Sequence, residues 1–171
     1  MKKIIISLSI ITIMSTILFV VQASAAGKSG LAGKSQTGHL YLNEKNPSDW
    51  SILSGGAWGK MTYKIDGYVF NGHKLNPSEK YTLINYARVG TEWPASIKCL
   101  ETVMSNENGD VHMMGDWNIT EFGHDTTPGT ENQTGYKFWL VPSSDVNCIT
   151  GKLPSWNPSE YLFEEVPIYF D

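Results

Sequence analysis

From residue 39 onward, apolar and polar positions alternate with the two-residue period of strands, and no segment sustains helical periodicity. Met61, Tyr63 and Ile65 alternate with Lys60, Thr62 and Lys64, which predicts a strand with one dry and one wet face. Asp66-Gly67 then predicts a two-residue turn, with Ile65 opposite Tyr68 and Tyr63 opposite Phe70, so that the aromatic side chains share a face. Residues 81–86 carry apolar bulk on both parities, as in a central strand covered on both sides. A second hairpin is expected between 99–104 and 111–117, closed across Asn106-Glu107-Asn108-Gly109-Asp110. Further strands are expected at 39–42, 137–141 and 161–170. The intervening segments 88–98, 119–135 and 142–159 are long and irregular, and the second is longer than most loops inside a compact domain.

Leu75, Pro77 and Tyr81 have the spacing of a tyrosine corner, in which a Tyr at the start of a strand returns its hydroxyl to the backbone of the preceding turn. This corner resembles that of fibronectin type III and other Greek-key domains, and the resemblance implies fold alone. The expected class is all-β: a Greek-key antiparallel β-sandwich of about seven or eight strands in a single domain, 39–171. Fewer strands precede the corner than in the immunoglobulin order, so that topology is not implied.

Upstream, Lys2 and Lys3 are followed by an apolar and small-residue run to Val21 and by Ala23-Ser24-Ala25, the pattern of a secretory signal over 1–25 with cleavage before Ala26. An uncleaved anchor is the rival reading, since about 18 apolar residues span a bilayer. Residues 26–38 are small and polar, a flexible leader. Gly33-Lys34-Ser35 lacks the upstream glycine, strand and helix of a phosphate loop. Without the signal, eleven basic and seventeen acidic residues remain, which argues against nucleic acid or an anionic membrane surface as partner. The membrane is reached only through the N-terminal segment, if that is kept. In an oxidising compartment, Cys99 and Cys148 are expected to form one disulfide.

His39, His73, His112 and His124 invite comparison with copper or zinc sites, but no H-x-H pair places two imidazoles on one strand face. In the long polar loop, Trp117, Glu121, His124, Asp125 and Glu131 form a candidate ligand surface. Its Glu121, His124 and Asp125 are also the metal candidates. Asn118-Ile119-Thr120 and Asn132-Gln133-Thr134 are glycosylation sequons. Asn46-Pro47-Ser48, Asn76-Pro77-Ser78 and Asn157-Pro158-Ser159 are turn initiators. Six tryptophans are many for this length, and at sandwich rims they either plug the core or meet carbohydrate or protein. Trp139, between Phe138 and Leu140, is expected in the core. No hydrolase, metalloprotease or dinucleotide fingerprint occurs, and no catalytic residue or cofactor is assigned.

His39-Leu40-Tyr41-Leu42, Gly56-Ala57-Trp58-Gly59-Lys60, Phe70-Asn71-Gly72-His73, Tyr81-Thr82-Leu83-Ile84, Asp110-Val111-His112, Trp139-Leu140-Val141 and the run from Trp156 to Phe163 resemble segments of small exported proteins of methanogenic archaea. The resemblance implies secretion and a single domain, and supplies no catalytic residue. The expected function is therefore an exported extracellular or cell-surface module that binds a protein or carbohydrate, or is structural. A secreted copper or zinc protein and a glycan-directed hydrolase are the alternatives.

Overall fold

The computed structural model describes residues 30–31, 37–124 and 135–170. The expected signal (1–25) and the leader, apart from residues 30–31 and 37–38, lie outside them. The alternating segments form β2 (Gly38–Glu44), β3 (Trp58–Lys64), β4 (Gly67–His73), β5 (Lys80–Ala87), β6 (Ala95–Met104), β7 (Val111–Asp116), β8 (Lys137–Pro142) and β10 (Leu162–Glu164). Three two-residue strands add to these: β1 (Gly30–Leu31), β9 (Lys152–Leu153) and β11 (Tyr169–Phe170). The expected final strand at 161–170 is thus two pieces, β10 and β11, interrupted around Pro167, whose ring removes a ladder donor. The class is all-β, with only single-turn 3-10 helices among the described residues.

Nine strands join one antiparallel sheet in the order β7-β4-β3-β2-β10-β8-β5-β6-β9, while β1 and β11 pair in parallel apart from it. The sheet curls until β6 approaches β7. Its concave side is filled by Leu40, Leu42, Met61, Tyr63, Phe70 and Met113 from one limb and by Leu83, Phe138, Leu140 and Leu162 from the other. On the limb β10-β8-β5-β6 the convex side is covered too, by Ile84, Tyr86, Ile97, Trp139, Val141 and Phe163 packing with Leu153 and Tyr161 of the 143–161 connection. Six consecutive residues of β5, Tyr81 to Tyr86, are accordingly buried, as expected of a strand covered on both faces.

Two registers differ from expectation. The first hairpin pairs Tyr63 with Tyr68 and Met61 with Phe70, so its turn is Ile65-Asp66 and Gly67 already belongs to β4. A Cβ at Gly67 would stand 2.9 Å from the carbonyl oxygen of Gly115 in β7, so the glycine serves a close strand approach rather than a turn. The aromatic residues still share the concave face. The second expected hairpin does not form: β6 pairs with β5 and β7 pairs with β4. Its turn is present, with Asn106 Oδ1 accepting from the N–H groups of Asn108 and Asp110, but it fastens elsewhere, as Gly109 accepts the Leu75 N–H. Val111 and Met113 reach the concave core only by following β4.

A bulge in β6, where Leu83 pairs with Glu101 but Ile84 with Cys99, turns Cys99 to the convex layer and Leu100 to the concave core. Cys99 thereby meets Cys148 in a disulfide, with Cα atoms 5.7 Å apart, tying the convex connection to the sheet. The chain leaves β4 through the predicted corner. Leu75 is buried, and the Tyr81 hydroxyl accepts the Asn76 N–H at 3.1 Å and donates to Glu79. Burial pushes the Tyr81 phenol up to about 12, so it keeps its donor proton. Tyr161 repeats the device: its hydroxyl accepts the Asn157 N–H and donates to the buried Asp145 at 2.8 Å.

Candidate functional site

The covered convex face ends in a cluster of exposed indoles delivered by three connections. Trp50 follows β2, Trp93 lies between β5 and β6, and Trp156 lies between β9 and β10. Each is close to half exposed, at 49%, 46% and 42% respectively. They converge because they share a buried aromatic floor. Trp156 lies 5.8 Å from Trp139 and edge-on to Tyr161, Trp50 packs edge-on to Phe163 at 5.2 Å, and Trp139 stacks on Tyr86 at 3.7 Å. Trp156 is central, with ring centroids 6.3 Å from Trp50 and 6.4 Å from Trp93.

Local sequence sets each indole. The Asn46-Pro47-Ser48-Asp49 turn accepts the Trp50 N–H at Asn46 O, and Asp49 takes both the N–H and the hydroxyl of Ser51. Those bonds hold the Asp49 carboxyl below its ordinary range. They also hold Trp50 at φ +59°, a conformation that is strained for a bulky side chain and concentrates at functional positions. Arg88 Nε donates to Glu92 O, shaping the turn that presents Trp93, and the Glu92 carboxylate meets Lys152 at 2.7 Å. Trp156 is carried on the disulfide-tied connection immediately before the Asn157 turn.

Between these elements lies a niche of about 360 Å³ lined by Tyr86, Arg88, Trp93 and Trp156. Three aromatic side chains and one arginine make up that lining. The indole nitrogens of Trp50, Trp93 and Trp156 make no hydrogen bond within the described residues, whereas the buried Trp117 donates to Lys64 O at 3.0 Å. Half-exposed rings that offer both π-faces and N–H donors suit a ligand with apolar CH faces and a hydroxylated edge.

The 117–135 loop is arranged differently. Trp117 is 8% exposed and closes the concave core against Tyr68, Phe122 and Phe138, so it is a plug. Glu121 pairs with Lys98, which holds its carboxyl below the ordinary range, while exposed His124 stacks on Tyr136 at 4.3 Å. Asp125, Glu131 and Asn132 lie outside the described residues. Asn118 caps a single-turn helix, its Oδ1 accepting from Thr120 N and Oγ1. His39, His73 and His112 occupy the solvated outer face of β2, β4 and β7, bonded to Thr62, Asp110 and Asn71. Among the described residues, no three His, Cys, Asp or Glu side chains gather closely enough to hold a metal.

Sequence reasoning counted Trp50, Trp93 and Trp156 but did not join them, because they come from irregular segments with no shared period. One available signal was that each sits beside a turn-initiating Pro: Asn46-Pro47, Trp93-Pro94 and Asn157-Pro158. Compared with protein-family models, with curated proteins and with solved structures, the chain finds no match in any of the three.

Proposed function

We propose that this chain is an exported, disulfide-bonded binding module of the cell surface or extracellular space, and that it holds carbohydrate on its tryptophan face. The observation that carries the reading is the convergence of Trp50, Trp93 and Trp156, each near half exposed, on one patch. Three large apolar rings left in water and gathered on one patch suit a surface evolved for contact. Export is supported by the Lys-flanked apolar N-terminus and by the disulfide, which persists in oxidising compartments. A Greek-key sandwich description draws its support from the two limbs of the curled sheet, which face each other across the concave core with the Tyr81 corner leading from one to the other.

The test is intrinsic tryptophan fluorescence titrated with neutral and acidic oligosaccharides, together with retardation on polysaccharide gels. Binding to at least one glycan is expected, weakened tenfold or more in Trp93→Ala or Trp156→Ala with the thermal midpoint retained. A panel that leaves fluorescence and mobility unchanged would refute carbohydrate recognition.

A further inference from the structure

Seven successive antiparallel pairings lead from β7 to β6, so these two strands run antiparallel and stand side by side where the curled sheet meets itself. A ladder between them would complete an eight-stranded barrel. No such ladder forms among the described residues. β7 is paired on its β4 side only, and beyond β5 the long β6 is paired only at Ala95 and Ser96, with β9. The seam therefore presents two facing strand edges, which proteins ordinarily cover or blunt.

The seam is also hollow. A cleft of about 520 Å³ opens between Lys98–Glu101 of β6 and Met114–Asp116 of β7, and Tyr68, Leu100, Trp117 and Phe122 contribute to its lining. One edge donor is occupied by a substitute: the Met114 N–H, which a strand carbonyl would take in a closed barrel, donates to Glu101 Oε2 at 2.8 Å. Lys98 is engaged with Glu121. Of the charged side chains lining the cleft, Glu101 and Asp116 lack a cationic partner among the described residues, so the walls carry an uncompensated negative charge.

We infer that the β6–β7 seam is a docking groove for an extended basic peptide of a partner protein, taken up as an additional strand. Where the cleft parts Lys98–Glu101 from Met114–Asp116, the N–H and C=O groups of the two edges are satisfied by another extended backbone, which needs about 9.5 Å between the flanking strands. The period-2 side chains of such a strand place apolar residues over the aromatic floor and basic residues along the acidic rim. Docking frees Glu101 from Met114 and leaves its carboxylate beside Asp116 to hold a lysine of the peptide. Because β6 and β7 are antiparallel, a single inserted strand lies parallel to one of them and antiparallel to the other. This groove is separate from the tryptophan face.

The test uses the full chain and the peptide acetyl-Val-Lys-Val-Lys-Val-Lys-amide, with binding read by calorimetry at low and high salt. A companion peptide carries N-methyl groups on all six residues, which keeps the charge and removes the N–H donors toward both edges. Saturable binding is expected for the first peptide. It should weaken at least tenfold on N-methylation and at least tenfold in Asp116→Lys, with no change in Trp156→Ala. Equal binding of both peptides would reduce the effect to charge attraction and overturn strand addition. Absence of saturable binding up to millimolar peptide would overturn the groove itself. Sedimentation of the chain alone as a dimer that Asp116→Lys dissociates would name a second copy as the occupant and overturn the inference of a partner peptide.

Discussion

Glu164, in β10, is a carboxyl group folded into the protein with too few partners, and its titration should be visible in stability. It is 9% exposed, and burial is the leading cause that pushes its pKa from the ordinary 4.5 to about 7. Opposing pulls come from its own backbone N–H, from Lys137 and Lys45, and weakly from the Trp139 indole. The nearest geometry falls short of compensation. Lys45 Nζ donates to the Glu164 carbonyl oxygen rather than to its carboxylate, and Glu164 Oε2 and Trp139 Nε1 are both buried without a hydrogen bond. A raised folded-state value means that the native protein binds the proton more tightly than the unfolded chain. The contribution is therefore fully present below pH 4.5, declines as pH rises, and is gone above about pH 7. At about 1.4 kcal/mol per unit, the span amounts to roughly 3 kcal/mol. Glu164→Gln keeps the shape and removes the titration. Urea unfolding of both proteins at half-unit intervals from pH 4.5 to 8 isolates the effect, because every other group cancels in the difference. The variant should gain on the wild type by roughly 3 kcal/mol across that range, nearly all of it by about pH 7.5. A difference that stays flat would show that the carboxyl is not desolvated as the fold implies.

Removing the Cys99–Cys148 bridge, by reductant or by serine substitution of both residues, should lower stability by about 4 kcal/mol for its 49-residue separation, as read by denaturant unfolding. Tyr161→Phe should cost about 2 kcal/mol, since the buried Asp145 loses a donor and the Asn157 N–H its acceptor, whereas Tyr81→Phe, whose Glu79 partner lies nearer water, should cost about 1 kcal/mol. Equal losses in thermal or urea unfolding would contradict that assignment. Gly59→Ala should destabilise by about 1–3 kcal/mol, because its Cβ would stand 2.3 Å from the Phe70 ring. At Gly115 the nearest contact is an ordinary 3.4 Å, and alanine there should change stability by no more than about 0.5 kcal/mol.

Strands were legible wherever one face is dry, because alternation records burial directly. The β3 pattern, Lys60 through Lys64, and the double burial of β5 were both readable for that reason. Pairing was less legible. Asp66-Gly67 has the chemistry of a turn, but the demand for a glycine against β7 outweighed it, and turn chemistry carries no record of a neighbour in another strand. The Asn106–Asp110 turn was correctly placed, yet it joins strands that do not pair, because partner choice is set by which core Val111 and Met113 must fill. The tryptophan face was the least legible part, since its members belong to connections without a period and meet only over Trp139 and Phe163. The second tyrosine device was visible in principle. Asn157-Pro158-Ser159-Glu160-Tyr161 repeats Asn76-Pro77-Ser78-Glu79-Lys80-Tyr81 with one residue fewer, and both tyrosines return to the asparagine backbone.

The features without an obvious role in closing the concave core collect on the convex side of one limb. The core of the curled sheet is complete from β2 to β8 with β10, and the corner at Tyr81 suffices to turn the chain. The disulfide, the Tyr161 device, buried Asp145 and the β6 bulge instead fix the connection from Ser143 to Tyr161 against a sheet face. A covered convex layer adds stability through Ile84, Trp139, Val141 and Phe163, but burial alone would be served by a shorter apolar connection. These restraints also hold Trp156 between Trp50 and Trp93 over the aromatic floor of Trp139 and Phe163. Reducing the ordering that a ligand must impose is how a small patch gains affinity. The chemistry that anchors the layer and the geometry of the tryptophan face are therefore one arrangement, and loosening the first should weaken the proposed glycan binding at the second before the concave core unfolds.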